Sequence, residues 1–157
     1  AWGGNCFPRD TESLAGTYVE NDVSPSILSA TLEINDRRLL EPYSVLRGSQ
    51  IHEGQVLVLG LAYKSGVSMI SGSKSVQLLK YLREEGYDAV GYDPNINPEE
   101  ELKVVQGSYR AVIVATDEPC FDDMIEKAKQ RNPGVLVLDY RMPKTFSSEP
   151  SSQSQRR

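Results

Sequence analysis

Two stretches of the sequence carry residue types that could do chemistry, and a few single side chains could serve them. Residues 1–10 read Ala-Trp-Gly-Gly-Asn-Cys-Phe-Pro-Arg-Asp. Paired glycines before Cys6 and Phe-Pro after it predict a sharp loop that exposes a thiol. A cation such as Arg9, or a helix N-terminus, favours the thiolate, which is the nucleophilic form. A small, buried, inert cysteine is the other reading that these residues leave open. The second stretch is Gly60-Leu61-Ala62-Tyr63-Lys64-Ser65-Gly66, directly after the apolar run Val56–Leu59. Small residues at the end of a strand let the backbone turn tightly and approach a ligand. Asn35 and Arg38, three apart, share one face of a predicted helix, and a solvated polar stripe is their plainer reading. The single histidine, His52, has no partner for a metal site and reads as surface.

The elements that must position these residues are set by periodicity. Val56–Leu59, Tyr87–Tyr92, Ala111–Ala115 and Val135–Leu138 are short apolar runs, as strands buried on both faces are. Between them lie helical patterns. Ser73–Glu85 has Val76, Leu79 and Leu82 on one face and stops at Gly86. Asn97-Pro98-Glu99-Glu100-Glu101 predicts a capped start to a short helix with Leu102 and Val105 inward. Phe121, Met124, Ile125 and Ala128 form an i, i+3, i+4, i+7 stripe. The alternation predicts an α/β fold: a small Rossmann-like parallel sheet with helices on both faces. The Gly60 turn then stands at the carboxyl end of a strand, where open α/β sheets bind ligands.

Upstream, Asp10 or Thr11 is expected to cap a short helix through Leu14 and Tyr18. A longer helical arm starts at Ser24-Pro25, with Ser24 able to cap it. Its apolar residues Ile27, Leu28, Leu32, Ile34 and Leu39 cover more than one face as it runs to about Arg47, with a kink or break expected at Pro42. The expected organisation is residues 1–50 as cysteine loop and helical arm, 51–143 as the Rossmann-like domain, and 144–157 as a polar, disordered tail.

The 157 residues carry a formal net charge of -5 and no basic cluster before the last two arginines. That argues against nucleic acid and anionic membranes as partners. No apolar run reaches the roughly 20 residues needed to span a bilayer, and no signal peptide is recognisable. Cys6 and Cys120 lie in unrelated contexts, which suits a reducing, cytoplasmic setting. Cys120, at the head of an apolar stripe, is expected to be the more buried and less reactive thiol. Ala1 stands inside what reads as a motif, so sequence upstream is expected.

Gly3-Gly4-Asn5-Cys6-Phe7-Pro8-Arg9-Asp10 resembles the G-G-x-C-F-P-K-D signature of the UDP-glucose/GDP-mannose 6-dehydrogenase family. Leu59-Gly60-Leu61-Ala62-Tyr63-Lys64 is similar to that family's L-G-L-A-F-K turn, and Tyr92-Asp93-Pro94 to its Y-D-P. Asn35-x-x-Arg38 matches its I-N-x-x-R helix and Asp139-x-Arg141 its late D-x-R. Order and rough spacing agree over residues 2 to 143, and the chain resembles the C-terminal half of such an enzyme.

The resemblance implies that Cys6 captures a sugar aldehyde as a thiohemiacetal, which goes on to a thioester and then an acid. Asp10 would assist the water or orient a neighbour. It further implies that Tyr63, Lys64 and Arg141 meet a UDP-sugar, with Asn35 and Arg38 on the helix that reaches the site. NAD would be bound by a domain absent from this chain, because the Gly60 turn lacks the G-x-G-x-x-G spacing. A homodimer through helix 24–47 is the implied assembly. Nucleotide binding is expected from the Gly60–Lys64 turn, its backbone N–H groups and one ammonium facing a diphosphate, with Arg141 on the same sheet edge. Two departures stand out. Arg9 replaces the family's Lys, and Ser65–Ser73 replaces its P-x-T-D-D-x-R-x-S. A stand-alone nucleotide-sugar-binding or regulatory module is the alternative, and an interaction domain that keeps only the fold is a third.

Overall fold

The computed structural model describes residues 1–52 and 54–141, so the tail expected at 144–157 lies outside the described residues. Helix α1 (Phe7–Glu20) begins earlier than its expected caps. Pro8 fits a first turn, where its missing N–H costs nothing. Thr11 donates its hydroxyl back to the Phe7 carbonyl at 2.7 Å instead of capping. Helix α2 (Ser26–Gly48) runs through Pro42 as one element, so the expected break does not occur. Pro42 is buried against the body of the domain, and that packing outweighs the lost hydrogen bond. Ser24 does not cap; its hydroxyl pairs with that of Ser26 at 2.6 Å.

The strands are β1 (Gln55–Leu59), β2 (Asp88–Tyr92), β3 (Ala111–Val114) and β4 (Leu136–Asp139). They form one fully parallel sheet in the order β2-β1-β3-β4. Helix α3 (Lys74–Glu84) joins β1 to β2, and its first turn is capped by the Ser73 hydroxyl. A 3-10 turn, Pro98–Glu100, leads into α4 (Glu101–Gln106), and α5 (Phe121–Arg131) joins β3 to β4. Asn97, the expected cap of this start, has other partners: its amide accepts from the Asp93 N–H at 2.9 Å and donates to the Gly91 carbonyl at 3.0 Å. The 3-10 turn also advances the helical phase, so Val104 points inward while Leu102 is exposed.

Two apolar layers sandwich the sheet. On one side α2 and α3 set Leu46, Leu78, Leu79 and Leu82 against Val56, Val58 and Ile113. On the other, α4 and α5 set Val104, Phe121, Met124 and Ile125 against Leu57, Leu59, Val112 and Val114. Full burial of each such side chain contributes roughly 1.5–3 kcal/mol before the cost of ordering it. Because Leu39, Tyr43 and Leu46 join the first layer, the last part of α2 shares one core with the sheet. Helix α1 packs on α2 and has no buried residue of its own. No helix among the described residues is long and apolar enough to cross a membrane.

Candidate functional site

β1 has β2 on one side and β3 on the other, so the chain reverses its winding between β1 and β3. The register aligns Leu59 with both Tyr92 and Val114, which brings the carboxyl ends of β1, β2 and β3 to one edge. At that edge Gly60 has φ +92° and its missing Cβ leaves the space filled by Thr116. Only glycine satisfies both demands.

The backbone of this turn is already engaged. Asp93 is fully buried, and one of its carboxylate oxygens accepts from Leu61 N–H at 2.9 Å and Ala62 N–H at 3.0 Å. Its other oxygen accepts from Asn95 N–H at 2.8 Å. An internal carboxylate therefore occupies the position expected for a phosphate, which corrects the reading of the turn as an open anion seat. For the same reason the turn does not fit the pyrophosphate of a dinucleotide such as NAD.

The open space lies beside the turn. A cleft of about 130 Å³ at the switch point is lined by Arg38 and Pro42 of α2, Tyr63, Lys74 of α3, Thr116 and Tyr140, with Gly3 at its rim. Arg38 has no ion pair among the described residues, whereas Lys74 meets Asp36 at 3.1 Å. The Thr116 hydroxyl is the one buried side-chain oxygen or nitrogen without a hydrogen-bond partner among the described residues. A cleft lined by two cations suits an oxyanion. A larger groove, about 560 Å³, runs along the edge strand β2, where Asp88, Glu99 and Glu100 outnumber Arg83 and Lys103.

The sequence-predicted residues divide around this cleft. Arg38 and Tyr63 line it. Lys64 is exposed, its ammonium 5.6 Å from the centre of the Tyr63 ring. Asn35 is 4% exposed, and its amide is bound to the backbone of Trp2 rather than turned to a ligand. Arg141 sits among three carboxylates, Asp139 at 2.6 Å, Asp122 at 2.8 Å and Asp117 at 3.3 Å. That cage holds its guanidinium charged and, in turn, keeps the Asp139 carboxyl below its usual range against the opposing effect of burial. Arg141 thus presents a local excess of negative charge, a correction to its expected place as a free phosphate ligand.

Cys6 is exposed at the N-terminus of α1, where its carbonyl accepts from Asp10 N–H at 2.8 Å. The i, i+4 spacing puts the Asp10 side chain on the face below the thiol, joined to Arg9 at 2.8 Å. Burial pushes the Cys120 thiol up from its ordinary value. The cysteine loop lies on the segment after the turn. Gly4 N–H donates to the Gly72 carbonyl at 3.0 Å, Ser71 donates to Asn5 at 2.7 Å, and the Tyr63 ring rests where a Cβ of Gly4 would stand. The altered stretch Ser65–Ser73 is therefore the bed of the thiol loop.

Sequence reasoning misses Lys74, Thr116 and Tyr140 as cleft residues. Thr116 is open to detection, since it comes just after β3 opposite Gly60. Lys74 and Tyr140 carry no signal beyond standing next to a helix cap and a strand end. Asp93 is visible in the sequence only as part of Tyr92-Asp93-Pro94; its tie to the turn is a long-range contact.

Residues 57–144 match the family model described as UDP-glucose/GDP-mannose dehydrogenase family, UDP binding domain. A UDP-glucose 6-dehydrogenase of Haloferax volcanii is 31% identical, the match covering 89% of this chain and 35% of that protein. One from Rhizobium meliloti is 28% identical over 88% of this chain and 30% of the relative. The chain thus spans about a third of the length of these relatives. Among solved structures, a GDP-mannose dehydrogenase from Pseudomonas aeruginosa superimposes with TM-score 0.74 at 21% identity, covering 94% of this chain and 38% of that one. A UDP-D-ManNAc dehydrogenase from Pyrococcus horikoshii gives TM-score 0.72 at 24% identity over 97% and 37% of the two chains. At these identities the likeness establishes the fold.

Proposed function

The chain belongs to the UDP-glucose/GDP-mannose dehydrogenase family, and from that membership we propose that it forms the nucleotide-sugar-binding and thiol-bearing part of an NAD-dependent 6-dehydrogenase. The observation that carries the reading is the cleft, which brings Arg38, without an ion pair among the described residues, and Lys74 to the switch point beside the cysteine loop. The diphosphate of a UDP-sugar lies there against Arg38 and Lys74, with Lys64 reaching it over the Tyr63 ring. The sugar extends toward Cys6.

In the step assigned to this chain, the Cys6 thiolate attacks the sugar aldehyde carbon. A C–S bond forms, the carbonyl electron pair moves to oxygen, and that oxygen takes a proton to give the thiohemiacetal. Once the carbon has reached the acid oxidation level, water adds and the C–S bond breaks, returning the thiolate. Asp10, on the same face of α1, takes the proton of that water. The oxidations on either side of the addition need a hydride acceptor, for which the Gly60 turn offers no seat.

Exposed Ile27, Ile34 and Phe7 on the α1–α2 hairpin support a homodimer through this arm, which light scattering tests; a monomer at all concentrations would remove that element. The nucleotide reading is tested by calorimetry of this chain with UDP-glucose, GDP-mannose and ATP. We expect UDP-glucose to bind no tighter than roughly micromolar, from two charge-assisted contacts less the loss of freedom on binding. No heat with either nucleotide-sugar, or equal affinity for ATP, overturns it. Binding with an inert Cys6 would favour the second reading, a binding module without catalysis, to which the altered Ser65–Ser73 segment also points.

A further inference from the structure

We propose that Asn35 is a positioning residue for Cys6, acting across the fold through the backbone of Trp2. The proposal rests on the reading of Cys6 as the nucleophile. Asn35 lies near the middle of α2 and is 4% exposed. Its Oδ1 accepts from Trp2 N–H at 2.7 Å and its Nδ2 donates to the Trp2 carbonyl at 2.9 Å. Both polar groups of one residue are thereby held by one amide. A carboxylate in that position would set an acceptor against the carbonyl, and an aliphatic side chain would leave both groups unpaired.

The anchor matters because of the residues next along the chain. Gly4 is tied to Gly72 and Asn5 to Ser71, and residue 7 begins α1. Cys6 is the single residue between this fastened strap and the helix. With the strap fixed at Trp2, Gly4 and Asn5, the thiol is held exposed at the N-terminus of α1. Releasing the strap at Trp2 leaves only the ties at Gly4 and Asn5 to hold the loop, which loosens the placement of the thiol. An ordinary buried amide with only a packing role would, when removed, loosen the whole domain instead.

The test is the second-order rate of iodoacetamide alkylation, mapped separately at Cys6 and Cys120, from pH 6 to pH 9 with the full chain. In the wild type Cys6 is expected to label faster than Cys120; if it does not, the nucleophile reading fails before the positioning proposal is reached. In Asn35→Leu and Asn35→Asp the Cys6 rate at neutral pH should fall about fivefold, the factor that one hydrogen bond of ordinary strength represents. The Cys120 rate should hold within about twofold. Trp2→Pro removes the same N–H from the other partner without touching α2, so it carries the same prediction should the Asn35 variants not fold. An unchanged Cys6 rate, or Cys6 and Cys120 shifting together, overturns the assignment.

Discussion

The carboxyl edge of the sheet carries two groups of charge that look alike in the sequence and differ in state. At the switch point, Arg38 stands at a cleft without an ion pair among the described residues, and Lys74 meets the exposed Asp36. Past the end of β4, Arg141 is enclosed by Asp139, Asp122 and Asp117, and its side chain is only 14% exposed. A guanidinium is a phosphate ligand only if its donors are free. By that measure Arg38 has its donors available for a phosphate, whereas Arg141 is a tie between the ends of β3 and β4 and the first turn of α5.

Removing each cation in turn breaks or confirms this contrast. Arg38→Ala should weaken UDP-glucose binding about ten- to a hundredfold, the worth of one charge-assisted hydrogen bond. Its melting temperature should hardly move, since the side chain is exposed and has no ion pair among the described residues. Calorimetry beside thermal denaturation reads both. Arg141→Ala should do the reverse. Binding stays within about twofold while stability falls by about 1–2 kcal/mol, between the values for exposed and buried pairs. Tenfold weaker binding in Arg141→Ala would return that residue to the site and dissolve the contrast. Lys74→Ala should cost less than Arg38→Ala, about threefold in affinity, because Asp36 already neutralises part of its charge.

The same contrast explains how much is legible in the sequence. The four strands and the helices on both faces are, because buried runs such as Val56–Leu59 and stripes such as Phe121–Ala128 write their environment into residue type. Local competition is less so: Thr11, Ser24 and Asn97 are all good caps by type, and each has another partner. The candidate site is legible as a set of positions. Which of them are free is not, since that depends on contacts such as Asp93 with Leu61, 32 residues apart, or Asn35 with Trp2, 33 apart. Arg141 shows the limit. Its nearest carboxylate, Asp139, is two residues away and visible, but Asp117 and Asp122 reach it only because β3 and β4 are neighbours.

The smallest expected effect sharpens the contrast through pH. Hydrogen bonds from Arg141 lower the Asp139 carboxyl below its ordinary value, while burial works the other way. A carboxyl whose folded value is depressed binds protons less readily in the folded state than in the unfolded one. Its contribution to stability is therefore fully present above the unfolded value, near 3.9 for an aspartate, and is lost as pH falls through the folded value below it. Asp139 is 39% exposed, so screening keeps the contribution small, and it should appear only as a steeper loss of stability below about pH 4. Melting curves of the wild type and Asp139→Asn between pH 7 and pH 3 isolate it. The variant should melt lower at neutral pH, and the two curves should converge at the acid end. Binding of UDP-glucose at pH 7 should be the same in both proteins, because the cage touches neither Arg38 nor the cleft. Parallel melting curves would mean that Arg141 gains nothing from Asp139. An affinity that changes with Asp139→Asn would mean that the cage and the cleft are one site.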